Sequence, residues 1–339
     1  MSVDHIMQHL PTELDYQFRP LALREPVRIA NHTLNDIPCL HVQVRRGVHV
    51  GRGEAAGVFY MRDDPDRMPA QLETVRDALR AGLDRERLRQ ALPPGGARNA
   101  LDCALWELEA LQAGRPVWQL AGVEPPRRLR TAFTVSIHEP AVMAQRALHG
   151  LHALAHALKL KLSGDTAVDI ERVRAVRRAR PEVWIGVDAN QAFTPDSIAP
   201  LLPVLVACDI KLLEQPFARG READMDAVAF PLPVAADESC LHLAELETLA
   251  GRFDMVNIKL DKCGGLTEGL LMARRARELG LGVMVGNMGG TSIATAPAFV
   301  LGQLCDVVDL DGTTILAEDC QPAVRYEAGW LHCSPEVWG

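Results

Sequence analysis

The chain has 339 residues, 48% of them hydrophobic, enough for one barrel with an added module or for two domains around a large core. Its net charge of -8, with no long run of Lys or Arg, excludes the electrostatic footprint of a nucleic-acid binder. Nowhere do 18 or more apolar residues run together, so no membrane span is predicted, and an N-terminus with early charge and no signal-like apolar stretch predicts a cytoplasmic protein.

Residues 1–125 read as an α+β module. Strand-like segments over 27–30 and 39–45 precede the stretch Gly51-Arg52-Gly53-Glu54-Ala55, and helices are predicted over 70–89 and 96–112. Pro125-Pro126-Arg127-Arg128 marks a boundary, because proline disfavours continuing either kind of element.

From Thr131 the pattern becomes periodic. Apolar, β-branched runs begin near Thr131, Leu158, Trp184, Ile210, Val234, Met255, Gly282 and Val307, at intervals of 21 to 27 residues. Each interval suits one strand, one helix and two short connections. In the segment 166–180, for example, Ile170, Val173 and Val176 recur at helical spacing while arginines fill the other face. Strands alternating with helices imply a parallel sheet, and eight such units predict closure into a (β/α)8-type barrel over residues 126–318. No G-x-G-x-x-G follows the first strand to favour an open dinucleotide-binding sheet. Residues 319–339 form a tail able to fold back on the first module and complete it.

The eight cysteines are scattered, with no C-x-x-C pair, and read as thiols in a reducing compartment. His149, His152 and His156 share one helical face beside Leu151 and Leu154, which predicts a half-exposed helix rather than a metal site. Cys263-Gly264-Gly265 lacks the remainder of a phosphate loop and reads as a tight turn.

Charged residues recur at the ends of the barrel strands. Lys159 and Lys161 share one face of the second strand, Asp188, Glu214 and Asp237 end the third, fourth and fifth, and Lys259 ends the sixth. Catalytic residues of such barrels gather at these C-terminal strand ends. Adjacent strands run roughly 4.8 Å apart, so three carboxylates on consecutive strands converge within reach of one ion. Their mutual repulsion is resolved most simply by a divalent cation, and oxygen-only ligands favour Mg2+. The second and sixth strands are four positions apart in a ring of eight, so the lysines face each other across the mouth. A substrate carboxylate on the ion would set its α-carbon between them, and one lysine would remove the α-proton while the other returns a proton to the opposite face. Neighbouring cations are expected to lower the pKa of a lysine acting as base.

These residues carry a resemblance. The order K-x-K, D-x-N, E-Q-P, D-E-S and a sixth-strand lysine resembles the muconate-lactonising-enzyme-like subgroup of the enolase superfamily over essentially the whole chain, and the stretch 97–108 looks like that family's helix leading from capping domain into barrel. The resemblance implies a modified (β/α)7β barrel under an N-terminal capping domain, one Mg2+ per subunit on Asp188, Glu214 and Asp237, Lys161 and Lys259 as the acid/base pair, Lys159 tuning its neighbour, and a homo-oligomer. The eighth strand ends in Asp309-Leu310-Asp311, two acids on one side of a strand that suit a positively charged amine. This D-x-D resembles the dipeptide epimerases of the L-Ala-D/L-Glu type, in which paired aspartates hold the α-ammonium of a dipeptide whose C-terminal residue is inverted. Asn31, between Arg28 and His32, aligns with the capping-loop arginine of epimerases acting on Ala-Glu, and Met288 in Gly286-Asn287-Met288-Gly289-Gly290 stands where the subgroup's seventh strand ends; both are candidate substrate contacts. The expectation is therefore a dipeptide epimerase of open side-chain preference. Alternatives are o-succinylbenzoate synthase, N-acylamino-acid racemase or cycloisomerase chemistry on the same site, and a non-catalytic barrel, which predicts a lost ligand or base where none is missing. Sugar-acid dehydration is disfavoured because 282–290 holds no histidine.

Overall fold

The computed structural model describes residues 10–29 and 32–339. In the N-terminal part, Leu40–Arg46 lies between Glu13–Phe18 and His49–Ala55 in a three-stranded antiparallel sheet, and Leu21–Ile29 pairs with His32–Ile37 in a separate antiparallel ribbon. Alternation sets the middle strand's faces: Leu40, Val42 and Val44 are buried against Leu72, Leu79, Ala100 and Leu108 of the helices.

The single helix expected over 70–89 is two helices, Met68–Arg80 and Arg85–Ala91. Gly82 takes a left-handed φ of 91° between them, and the Asp84 carboxylate accepts from the Arg87 amide, capping the second. The glycine-rich stretch is strand, not break. Helix Gly96–Ala113 crosses His49–Ala55 so closely that a Cβ at Gly51 would stand 2.0 Å from the Ala104 carbonyl oxygen, and one at Gly53 1.9 Å from that of Ala100. Glycine there serves close packing of backbone on backbone.

The eight expected barrel strands form: Phe133–Val135, Ala157–Lys161, Trp184–Asp188, Leu212–Glu214, Val234–Ala236, Met255–Lys259, Gly282–Gly286 and Val307–Asp309. Each pairs in parallel with the next, and the Ala132 amide donates to the Val308 carbonyl (2.8 Å) to join eighth to first. Leu212, Ala235 and Met284, with Trp184, Met255 and Val307 from the strand starts, plug the N-terminal end of the barrel. The opposite end is left for polar groups. Among the described residues no α-helix follows the eighth strand, only the 3-10 turn Gly312–Ile315 before the tail, which makes this the modified (β/α)7β arrangement. No described helix is long and apolar enough to cross a membrane.

Helix Gly96–Ala113 also docks on the barrel. Arg98 donates to the carbonyls of Cys263 and Gly264, and the Asp102 carboxylate accepts from the Thr267 amide (3.0 Å) and hydroxyl (2.6 Å). The turn at Cys263-Gly264-Gly265 is thus a seat for this helix; Cβ atoms at the two glycines would meet Arg98 and Asp102 at 2.2 and 2.4 Å. The tail adds strands Arg325–Glu327 and Trp330–His332 beside Leu129–Arg130, then reaches the first module, where the Trp338 indole donates to the Arg52 carbonyl (2.9 Å). The helix expected to carry His149, His152 and His156 is a single turn, Gly150–Ala153, with His149 before it and His156 beyond it; His152 bonds the Thr134 carbonyl and His156 packs on Trp330.

Gly53→Ala is expected to lose about 2–3 kcal/mol of stability, since overpacking against rigid backbone costs that order. Urea unfolding measures it, and an unchanged midpoint would mean that helix and strand do not press together there.

Candidate active site

Register builds the site. Lys161 pairs with Asp188, Asp188 with Glu214, and Glu214 with Ala235, two residues before Asp237. On the other side, Lys259 pairs with Gly286 and Gly286 with Asp309. Paired residues of a sheet point to one face, so these side chains converge at the open mouth. Gly286 keeps a lane open: a Cβ there would stand 3.2 Å from Lys259 Cε.

Asp188, Glu214 and Asp237 are buried, and one carboxylate oxygen from each lies within 4.8 Å of the others. Lys161 Nζ donates to Asp188 (2.5 Å) and Lys259 Nζ to Asp237 (2.6 Å), so the two lysines grip the outer acids of the triad. Lys159 sits between the groups, donating to Asp309 and lying 3.4 Å from Glu214 and 3.6 Å from Asp188. Lys161, Lys259 and Lys159 all line one cavity, together with Asp309, Asp311 and Met288. Asn31 lies outside the described residues.

Burial opposes ionisation of Asp188, but Lys161 and Lys159 outweigh it and hold the carboxyl below its usual range. Asp237 is held lower still, because Lys259 and Lys262 overcome the same burial. Glu214 goes the other way: burial, then the charge of Asp188, push it up to about 8. Among the described residues its Oε2 accepts no hydrogen bond, the Lys159 ammonium standing 3.4 Å off. An acid crowded by acids, with a bare buried oxygen, is what a divalent cation would satisfy, and the donor set is all oxygen. Burial disfavours the charge of Lys259, yet Asp237 and Glu214 more than offset it and keep the ammonium above the ordinary lysine range. For Lys259 the carboxylates outweigh the opposing charge of Lys159, whereas the lowering expected of a base rests on a lysine neighbour together with a bound cation.

Asp311 accepts from the Thr134 amide (2.6 Å), and burial with the neighbouring Asp309 charge raises it to about 6. Asp309 Oδ1 is buried and has no partner among the described residues.

Several groups had no assigned role in the sequence. Lys262, its side chain wholly buried, donates to Asp237 Oδ1 and to the Asp237 and Asn257 carbonyls. Asn257 donates to Glu214 Oε1 (2.7 Å); as the i−2 neighbour of Lys259 on one strand, its inward direction was legible. Glu238, lining the cavity, is pushed up to about 7 by burial and then by Asp237. Phe59 and Tyr60 reach the cavity from the first module, and only the tertiary fold shows it.

Comparisons with known proteins agree with this geometry. Residues 142–332 match the enolase C-terminal domain-like family and residues 15–122 the mandelate racemase / muconate lactonizing enzyme N-terminal domain family. The chain is 38% identical over 310 residues to the L-Ala-D/L-Glu epimerase of Escherichia coli, covering 91% of this chain and 96% of that one. An enolase family member from Agrobacterium tumefaciens with homology to dipeptide epimerases, solved with sodium and L-Ala-L-Glu, superposes with a TM-score of 0.92 at 37% identity, over 97% of this chain and all of the other (100%). The dipeptide epimerase of Enterococcus faecalis, complexed with Mg and L-Leu-L-Tyr, gives 0.89 at 28% identity over 96% and 98%. With matches of this extent in both parts of the chain, the protein belongs to the enolase superfamily, in its mandelate racemase and muconate-lactonising branch.

Proposed function

We propose that the protein is a Mg2+-dependent dipeptide epimerase that inverts the α-carbon of the dipeptide's C-terminal residue through a deprotonated, enediolate form of the substrate. The reading rests above all on one observation: Lys161 and Lys259, on the second and sixth strands, line a single cavity that the Asp309/Asp311 pair also lines. The epimerases among its relatives support the substrate class.

Asp188, Glu214 and Asp237 would hold the Mg2+. When bound, the ion supplies positive charge against the second negative charge that the substrate carboxylate gains as its α-proton leaves. The chain's own groups do the rest. One of the two Nζ atoms takes the α-proton and the other delivers a proton to the opposite face, which inverts the carbon. Lys262 keeps hold of Asp237 through its second oxygen, so Lys259 can turn from that acid to the substrate. Lys159 lies against Asp188 and Asp309 and so sets the charge around both the base and the amine site. Asp309, with one oxygen unpartnered among the described residues, and Asp311 receive the α-ammonium.

In deuterated water, Lys161→Ala or Lys259→Ala alone is expected to cut epimerisation by at least about 10²-fold while leaving α-deuterium exchange in only one of the two epimers, the one whose proton faces the surviving lysine. Mass spectrometry and chiral chromatography read both, and exchange persisting in the double variant would defeat the two-lysine scheme. Asp309→Asn with Asp311→Asn should lower kcat/KM for dipeptides roughly 10- to 100-fold, the loss of charge-assisted hydrogen bonds. Turnover of N-acylated amino acids, which have no ammonium, would then continue and would instead favour the racemase reading if it dominates in the unaltered protein. An ammonium needs Asp311 ionised, and its carboxyl is raised to about 6. kcat/KM should therefore fall as pH drops through about 6; a pH profile unchanged in Asp311→Asn would remove Asp311 from recognition.

A further inference from the structure

Cys39, His41 and Glu54 bring a sulfur, an imidazole nitrogen and a carboxylate oxygen within 4.8 Å of one another. Strand register explains the grouping. His41 and Glu54 are direct cross-strand partners, and Cys39, two residues before His41, points to the same face. None of the three lines the substrate cavity. Cys39 and Glu54 are buried, at 0% and 1% exposure, whereas the His41 side chain is 24% exposed and gives a way in from solvent.

The donors are those of a borderline-soft ion. A tetrahedral centre with bonds of roughly 2.0–2.3 Å needs donor atoms on the order of 3.3–3.8 Å apart, so about an ångström of side-chain adjustment suffices. Thiolate and imidazole select zinc-class ions over Mg2+, in contrast to the all-oxygen triad at the barrel mouth. His41 Nδ1 already stands 3.0 Å from the Glu54 carboxylate, and the Cys39 thiol donates to the Ala55 carbonyl at 3.4 Å. Among the described residues, His41 Nε2 is buried with no hydrogen-bond partner.

We propose that Cys39, His41 and Glu54 form a second metal site, for Zn2+ or an ion of its class, distinct from the carboxylate triad. Binding replaces the Cys39 thiol proton, which passes to solvent, and the His41–Glu54 contact, the imidazole taking the neutral tautomer with its proton on Nε2 so that Nδ1 faces the ion; no electron is transferred. Three protein donors leave one position for water. The location has a consequence for the cavity, because Glu54 also accepts from the Thr291 amide and hydroxyl, and the chain just before Thr291 carries Asn287, Met288 and Gly289 along the cavity wall.

Co2+ tests this as a spectroscopic stand-in. With the full chain in excess Mg2+, added Co2+ should produce a thiolate-to-cobalt charge-transfer absorption that saturates at a stoichiometric amount. An all-oxygen site cannot give this band. It should vanish in Cys39→Ser, and in His41→Ala the apparent affinity should fall by more than about 100-fold, beyond the roughly 10- to 100-fold that outer contacts of a metal cost. Thermal unfolding of both variants checks the fold, and if Cys39→Ser does not fold, the affinity change in His41→Ala decides. Absence of the band in the unaltered protein, its persistence in Cys39→Ser, or an unchanged affinity in His41→Ala would overturn the site.

Discussion

Four lysines and an arc of carboxylates are buried together at the open end of the barrel, and their mutual pairing constrains everything around them. Lys159, Lys161, Lys259 and Lys262 each bond a carboxylate of the site. Removing one partner from such a buried pair typically costs about 3–5 kcal/mol, because the other charge is left alone. The strands must therefore hold their register. A slip of one residue would turn Lys159, Lys161, Asp188, Glu214 and Lys259 to the apolar outer layer.

The pairing is also uneven, and the unevenness is chemically useful. Asp188 and Asp237 each have a lysine to themselves, whereas Glu214, between them, has an amide from Asn257 and only a shared cation in Lys159. The least compensated carboxyl is thus at the centre of the triad, where its ionisation is disfavoured until a cation arrives. Lys161 and Lys259 stand on either side of it, on strands four apart.

The first module completes this site from above and holds to the barrel through polar contacts on glycine seats. Arg98 and Asp102 fit onto Gly264 and Gly265, where no Cβ has room. Ile37 packs against Gly289, and Glu54 binds Thr291, so strands of the first module brace the wall after the seventh barrel strand. Phe59 and Tyr60 bring apolar surface to the same cavity. Burial and then the Asp237 charge raise the Tyr60 hydroxyl, so it stays protonated beside the acids.

The barrel, the triad and the lysines were legible because strand alternation and unit spacing are local, repeating signals, and a charge at a strand end has a known address in such a fold. Residues whose meaning comes from a distant neighbour were not. Gly51 and Gly53 look like a loop until helix Gly96–Ala113 lies across them, and Lys262 looks like a solvated charge until its ammonium meets Asp237. The sequence by itself determined the order of strands and which face each charged side chain takes, since both follow from periodicity along one chain. Only the tertiary structure decided which cation meets which acid, which glycines are packing seats and which residues of the first module reach the cavity, because those depend on distances between segments that periodicity does not encode.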